Sequence, residues 1–289
     1  MNSKKVFFIG ITCVLLSFLM LSSCKQGKQL VPDPGIVSYS FRDQFAQDVP
    51  STLDMIKQMG ITNIEFSNLF GKTSEELRAL LNERGMICTS YGISYDVAMN
   101  DLSKVISDAH NLGAKYVRVS SMPFEGPELT IERIMQAVDD FNYIGKILKE
   151  NGLIFCYHNH GIEFRIYEDG TLFDYLIKNT NPEYVSFEMD ILWVVHPGAD
   201  PVELLNKYPE RFCLMHLKDL KKGIIGDFSG RTPRENDVIL GTGQIDIPAV
   251  LEAAQKTNIE YYYIEDENPE VINRVPVSLE YIKGIKINI

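Results

Sequence analysis

Histidine is scarce in this 289-residue chain, five in all, and two of them fall in one short run, FCYHNHGIEF at 155–164. His158 and His160 close an apolar stretch, and Glu163 follows just beyond. Imidazole and carboxylate groups at a strand end can share a metal ion or move protons near neutral pH. A lone histidine there can equally be a hydrogen-bonded edge residue. Like groups recur downstream, however: Asp190 with Trp193 at the end of YVSFEMD, His216 with Lys218 in FCLMHLKD, and Glu265 in IEYYYIED.

Alternation along a strand selects which of these side chains share a face. If the small Cys156 points to an interior, His158 and His160 point with it, and Tyr157 and Asn159 face away. Asp190 closes its strand with Glu188 one layer down, His216 and Lys218 share a side, and Glu265 is opposite in phase to Asp266. The expected metal ligands are therefore His158, Asp190, His216 and Glu265. Mixed nitrogen and oxygen donors suit one divalent ion of the Mn, Zn, Co or Fe kind over Ca. Glu163 is a competing ligand, or a partner that orients an imidazole. Proton handling falls to His160 or Glu163, and Lys218 either polarises a substrate oxygen or pairs with Asp219. Tyr39, Glu65, Tyr91 and Trp193 are the expected substrate-binding groups, with Tyr157 a further aromatic platform. Arg42 and Arg118 could reach hydroxyls or pair with Asp43 and Glu125.

The elements that must position these groups are short and alternate in kind. Strand-like runs stand at 35–40, 61–67, 86–92, 114–121, 153–160, 184–190, 212–219 and 259–266. Helical patterns lie between them. STLDMIKQMG starts on Ser/Thr and stops on Gly, TSEELRALLNERG has a capping-box spacing from Thr73 to Glu76, and DLSKVISDAHNLG ends in Gly. Alternating strands and helices imply parallel βαβ units. Eight such units in about 250 residues is the arithmetic of a single (β/α)8 TIM barrel over 35–289. An open doubly wound sheet would want GxGxxG after an early strand, and that motif is absent. In a barrel the groups named above gather at one mouth, at the C-terminal strand ends. KKGIIGDFSGRTPREND (221–237) is a long insertion expected to cover that mouth. His110, near a helix stop, and His196, opening the HPGADP turn, are expected to be structural.

The first residues read differently. Lys4 and Lys5 precede an apolar run over 6–20, and LSSC closes it at Cys24, the layout of an export signal over 1–23. The run is too short for a comfortable membrane span. LSSC also resembles a lipobox, with Cys24 as the lipidated residue and 24–34 as a polar tether. The chain is then expected to be an exported bacterial lipoprotein of the periplasm or outer membrane, touching membrane through the lipid alone. Removing the signal takes two lysines and no acids, so the formal charge moves from −11 to −13. That balance speaks against nucleic acid, whose binding rests on neutralising phosphates. Cys88, Cys156 and Cys213 remain, each within an expected strand, and read as buried small hydrophobes rather than a disulfide framework.

YSFRD (39–43), IEFS (64–67), YHNHGIEF (157–164), MDILWVVHPGADP (189–201), MHLKD (215–219), LGTGQID (240–246) and YIEDE (263–267) together resemble the xylose-isomerase-like sugar isomerase/epimerase superfamily, in particular its secreted members labelled sugar phosphate isomerase/epimerase. The resemblance runs from about residue 35 to the end. It implies a divalent metal held by Glu, Asp, His and Glu from the fifth to the eighth strands, with the last three at Asp190, His216 and Glu265. This chain departs at the fifth strand, where His158 stands in place of the glutamate. It also implies that Glu265 takes part in proton transfer, and that the substrate is a carbohydrate, keto-sugar or keto-glycoside. The reaction implied is isomerisation or epimerisation by proton abstraction beside a carbonyl, with β-elimination by a keto-glycoside lyase or hydratase as the alternative. A non-catalytic sugar-binding lipoprotein is the other alternative. The three-metal abasic-site endonucleases of the same superfamily do not fit the acidic charge.

Overall fold

The computed structural model describes residues 27–126 and 128–287. The export signal and Cys24 lie outside the described residues. Eight parallel strands close into a barrel: β1 (Gly35–Val37), β2 (Asn63–Phe66), β3 (Ile87–Ile93), β4 (Tyr116–Val119), β5 (Ile154–His158), β6 (Val185–Asp190), β7 (Phe212–Leu217) and β8 (Tyr261–Ile264). Each falls inside one of the eight runs expected from sequence, except that β3 runs one residue further, to Ile93. Closure comes from β8 pairing with β1, Tyr263 opposite Gly35 and Ile264 opposite Ile36.

A principal helix follows each strand: α1 (Val49–Gln58), α2 (Ser74–Arg84), α3 (Leu102–Leu112), α4 (Ile131–Glu150), α5 (Leu172–Asn179), α6 (Pro201–Lys207), α7 (Ile247–Ala254) and α8 (Val271–Gly284). Their starts are locally encoded. Thr73 and Glu76 form the expected capping box on α2, and Asp or Thr side chains cap α1, α3, α4, α5, α6 and α7. The packed core lies mainly between strands and helices, where Phe45, Phe66, Phe141, Phe155 and Phe187 are fully buried. Burying one such ring stabilises the fold by roughly 1.5–3 kcal/mol.

A smaller cluster fills the barrel interior: Val37, Tyr116, Cys156, Cys213, Leu214 and Tyr263. The three described cysteines are buried and free, as expected, and the sulfurs of Cys156 and Cys213 touch at 2.7 Å. Strict alternation would put Cys213 and Leu214 on opposite faces. A register shift between Phe212 and Leu214 where β7 meets β6 lets both belong to the interior.

The expected tether over 24–34 is not a tether from Lys28 onward. Lys28–Gln29 pairs antiparallel with Lys286–Ile287, Leu30 N–H donates to Ile285 O at 3.2 Å, and Leu30 and Val31 are buried. Apolar residues inside a polar stretch carry that segment into the fold.

Candidate active site and metal centre

The strand ends deliver charged side chains into a barrel otherwise filled with apolar ones. Asp190 ends β6 and caps the short helix Ile191–Val195 that follows. Its Oδ1 accepts the N–H groups of Leu192 at 2.9 Å and Trp193 at 3.2 Å. The neighbouring Asn159 clamps its backbone, accepting from Asp190 N at 3.1 Å and donating to Asp190 O at 3.3 Å. The second carboxylate oxygen, Oδ2, is buried and has no hydrogen-bond partner. An unpaired buried carboxylate oxygen is costly unless something cationic meets it.

Oδ2 of Asp190 faces His158 Nε2 at 3.8 Å, His216 Nδ1 at 4.0 Å and Lys218 Nζ at 3.8 Å. Ligand atoms of His158, Asp190 and His216 all lie within 4.8 Å of one another, close enough to share an ion. Glu265 Oε2 stands 2.7 Å from His216 Nδ1, on the same side. Each histidine turns its other nitrogen to a carboxylate beneath: His158 Nδ1 to Glu188 at 3.0 Å, and His216 Nε2 to Glu65 at 2.8 Å and Glu188 at 3.1 Å. Carboxylates on those two nitrogens would hold their protons when a metal binds, leaving His158 Nε2 and His216 Nδ1 to act as ligands, the arrangement that metal-binding histidines adopt.

Electrostatics fit a divalent cation. Glu65, Glu188, Asp190 and Glu265 are buried together, and the buried permanent cations among them are Arg118 and Lys218. With all four carboxylates ionised and the histidines neutral, the set is two charges negative. Burial pushes Asp190 up to about 6 and Glu188, with Glu65 beside it, up to about 7. Burial also opposes ionisation of Glu65, but Arg118 and His216 outweigh it and bring that group down to about 2. Burial, and then the His216 charge, hold His158 well below the usual histidine range, so it is a neutral donor. For His216, burial is outweighed by Glu188, Glu65 and Glu265, which raise it. Two imidazole and two carboxylate donors suit Zn, Mn, Co or Fe better than Ca.

Above this set opens a cavity of about 630 Å³. His158, His160, Trp193, His216, Glu265 and Tyr39 line it, as expected from sequence. Its wall also includes Arg118, which forms ion pairs with Glu65 at 2.7 Å and Glu188 at 3.3 Å rather than with Glu125. Gly92 makes that reach possible: opposite Arg118 in the sheet, it would bring a Cβ to 2.6 Å from the guanidinium. Lys218 is fully buried beside the cavity, against the Trp193 ring at 5.6 Å and Glu267 at 2.8 Å. Asp219, the alternative partner for Lys218, instead accepts the N–H groups of Gly241, Gly243 and Ile245. A Cβ on Gly243 would meet that carboxylate at 2.1 Å, so the LGTGQID turn needs glycine there.

The insertion after β7 covers one side of the mouth. Its ends are zipped by Asp219–Leu220 against Asp237–Val238, and Gly230, Arg231 and Thr232 reach the cavity wall. His196 anchors it, with Nδ1 3.2 Å from Asp227 O. The structural expectation for His196 therefore acquires a specific partner, and His110 is exposed late in α3.

Five expected site residues are placed elsewhere. Glu163 is fully buried on the opposite side of β5, where the Tyr157 hydroxyl and the His160 N–H (3.0 Å) both bond to it. Tyr157 itself packs on Phe141 of α4, so it is no platform for a ligand. Glu65 lies beneath His216 and does not line the cavity. Tyr91 belongs to the strand–helix core, because its neighbour Gly92 takes the inward phase. Arg42 lies over the Tyr39 ring and near Glu267, not against Asp43. The clamp by Asn159 and the wall residues Arg231 and Glu267 were not singled out from sequence. An amide directly after a strand-end histidine was the available signal for the first; the others come from loops without periodicity.

A closed parallel barrel whose mouth holds histidine and carboxylate donors defines a class of (β/α)8 protein with an ion-binding pocket. The chain belongs to the xylose isomerase-like TIM barrel family, whose model matches residues 53–286. Among curated proteins it is similar to an inosose dehydratase of Geobacillus kaustophilus (strain HTA426), 28% identical over 234 residues that cover 71% of this chain and 74% of that one. It is also similar to inosose dehydratase 1 of Bacillus cereus, 23% identical, covering 78% and 85%. Among solved structures, a sugar phosphate isomerase/epimerase from Parabacteroides distasonis ATCC 8503 shares the fold at TM-score 0.72, with 24% identity and coverage of 91% and 98%. An IOLI protein with a bound zinc atom shares it at TM-score 0.71, with 14% identity and coverage of 89% and 100%.

Proposed function

We propose that this protein is a divalent-metal-dependent lyase that removes water, or another β-oxygen leaving group, from a keto-polyol or keto-sugar. His158, Asp190, His216 and Glu265 would hold the metal. A cation bound there would draw electrons from a substrate carbonyl and make the neighbouring C–H more acidic.

The observation that carries the choice of reaction is the asymmetry of the pocket walls. Epimerisation by two carboxylates needs one on each face of the substrate. Here the β8 side offers Glu265, while the β5 side offers His158 and His160 and turns its only carboxylate, Glu163, towards Tyr157. His160 is the group left on that side to carry a proton. Burial and the Lys218 charge keep its imidazole neutral, with its pKa down at about 4, so it is free to accept. It would take the proton from the carbon beside the carbonyl as the electron pair forms a C=C bond and the β C–O bond breaks. The same imidazolium would then protonate the departing oxygen, releasing water from a β-hydroxyl and leaving a conjugated enone, which is an enol that becomes the ketone where the proton-losing carbon carries a hydroxyl. Trp193, 5.6 Å from the His160 ring, offers a face against which a sugar ring can stack.

The curated relatives support this reading, since both are named as dehydratases of a cyclic keto-polyol. Localisation forms part of the same proposal: Cys24, closing the LSSC run, is lipidated, and the enzyme works outside the cytoplasm on substrates that arrive there. The test is NMR of inosose and of 3-keto-glycosides incubated with the metal-loaded protein in D2O. A dehydrated or cleaved product, lost in His160→Gln by about 10²–10⁴-fold with metal content unchanged, is the expected outcome. Clean conversion to an epimer or aldose–ketose isomer would assign isomerase chemistry to the same residues and overturn the lyase reading.

A further inference from the structure

Across the mouth from the metal ligands, one polar side chain is held at the cavity wall by a turn that its own backbone resists. We propose that Asn68 is a specificity-determining residue of the site, whose carboxamide NH2 donates a hydrogen bond to a hydroxyl oxygen of the bound polyol. This rests on the polyol or sugar substrate of the proposed function and adds which group of the chain reads its hydroxyls.

Position comes from the order of the strands. His158, Asp190, His216 and Glu265 stand at the ends of β5 to β8, and β2 is four places from β6 in either direction round the closed ring. Asn68, two residues past β2, is therefore across the mouth from Asp190, and it lines the cavity. The wall on that side is built largely from short neutral groups: Ser67, Asn68, Ser120 and Ser121. Arg118 is the charged residue there, and its guanidinium is already paired with Glu65 and Glu188. Ser67 is committed too, its N–H donating to Ser38 Oγ at 2.8 Å and its hydroxyl pairing with that of Ser38 at 3.0 Å. Such a wall is matched to hydroxyls, whereas a phosphate or carboxylate would call for free cations.

The chain just after Asn68 fixes which end of its amide is free. Asn68 Oδ1 accepts the Phe70 N–H at 2.7 Å, so the backbone uses the oxygen end and the NH2 end is left without a protein acceptor among the described residues. Residues 69–72 form a tight turn closed by Lys72 N–H donating to Leu69 O at 3.0 Å. Both central residues have positive φ, Phe70 at 49° and Gly71 at 74°. Turns of this form ordinarily take Asn-Gly, because a larger side chain is crowded at the first central position. A phenylalanine there is strained, and such strain persists only where the surroundings overdetermine it, as they do at functional sites. The Phe70 ring supplies the compensation: it stacks on Phe45 at 4.6 Å and 17°, and meets Phe66 edge-on at 6.5 Å. The core thereby grips the turn, and the turn grips Asn68.

The chain has a single tryptophan, and Trp193 lines the cavity, so its fluorescence reports binding without turnover. The test titrates the purified protein, supplied with zinc, with myo-inositol and its monodeoxy analogues, polyols that have no carbonyl and so no elimination chemistry. Asn68→Ser keeps an acceptor for the Phe70 N–H but is too short to place a donor where the NH2 stood. In the wild type the analogue lacking the contacted hydroxyl should bind about 3–10-fold more weakly than the parent. In Asn68→Ser the two should bind about equally, with the other analogues keeping their order. Asn68 is exposed, so the variant should fold, and circular dichroism checks that it does. No discrimination in the wild type, discrimination unchanged in Asn68→Ser, or a loss spread evenly over every analogue would each overturn the assignment. The last of these is what a purely structural Asn68 would give. Dehydration is not read here, so failure of the lyase reading shows in the NMR assay alone.

Discussion

Replacing Glu65 by Gln keeps the shape of the side chain and deletes one charge from beneath the metal centre. In the wild type its Oε1 lies 2.8 Å from His216 Nε2 and 2.7 Å from Arg118 Nε, with no exposure to solvent. Its pKa falls from 4.5 to about 2 despite burial, so the folded site as a whole favours the charged form by a net of about 3 kcal/mol at 1.36 kcal/mol per unit. Glu65→Gln should therefore lower the stability of the chelator-treated protein by about that amount, roughly 6–12 °C in melting temperature for a domain of this size. Because the folded-state pKa is depressed, the wild-type advantage is full above pH 4.5 and declines as pH falls towards 2. The same change makes His216 Nδ1 a poorer donor, and a partner of this kind is typically worth about 10–100-fold in metal affinity. Urea unfolding across pH, with competitive titration against a chelator, reads both effects. Wild-type affinity and stability in Glu65→Gln would refute the claim that Glu65 orients and charges His216 from below.

Two further outcomes follow from the placement of other carboxylates. Glu163→Gln should keep its metal and most of its proton exchange, far short of the about 10²–10⁴-fold loss expected on removing a general base, and should cost about 1–3 kcal/mol of stability through Tyr157 and the His160 N–H. Deuterium exchange into substrate, measured beside urea midpoints, checks this; loss of exchange with metal retained would return the proton-transfer role to Glu163. Asp174 accepts from Lys207 and Tyr208, both at 2.6 Å, and from Thr171 N at 2.9 Å; burial opposes its charge, but these bonds win and lower its pKa. Its contribution is present above the unfolded carboxylate pKa and lost as pH falls through the lower folded value, so Asp174→Asn should lose about 1–2 kcal/mol at pH 7, discounted for partial exposure, and less in acid. A stability difference that does not change with pH would contradict it.

The barrel was legible because each strand run and each helix start carries its own signal, as in the Thr73–Glu76 capping box and the apolar alternation of β5. The placement of His158, Asp190, His216 and Glu265 on one face followed from the same alternation. Alternation fails where the backbone is not regular. Glu163 lies past the end of β5 in a short 3-10 turn, Gly161–Phe164, that swings it to the helix side. Glu65 is in phase with the interior but one layer below the cavity, against His216 and Arg118, and depth is set by barrel stagger rather than by its own strand. Tyr91 was misplaced because the glycine beside it, with no side chain, is the residue that faces the cavity. The partners of Arg118 lie on β2 and β6, far away in sequence, so local reading favoured the nearer Glu125.

The central claim is that His158, Asp190, His216 and Glu265 hold one divalent ion. Elemental analysis of the purified protein, repeated on Asp190→Ala and His158→Ala with circular dichroism to confirm folding, tests it most directly. The account predicts one ion per chain in the wild type and substantial loss in both folded variants, because Asp190 Oδ2 and His158 Nε2 each supply one donor of the proposed set. Full occupancy in either variant would contradict it.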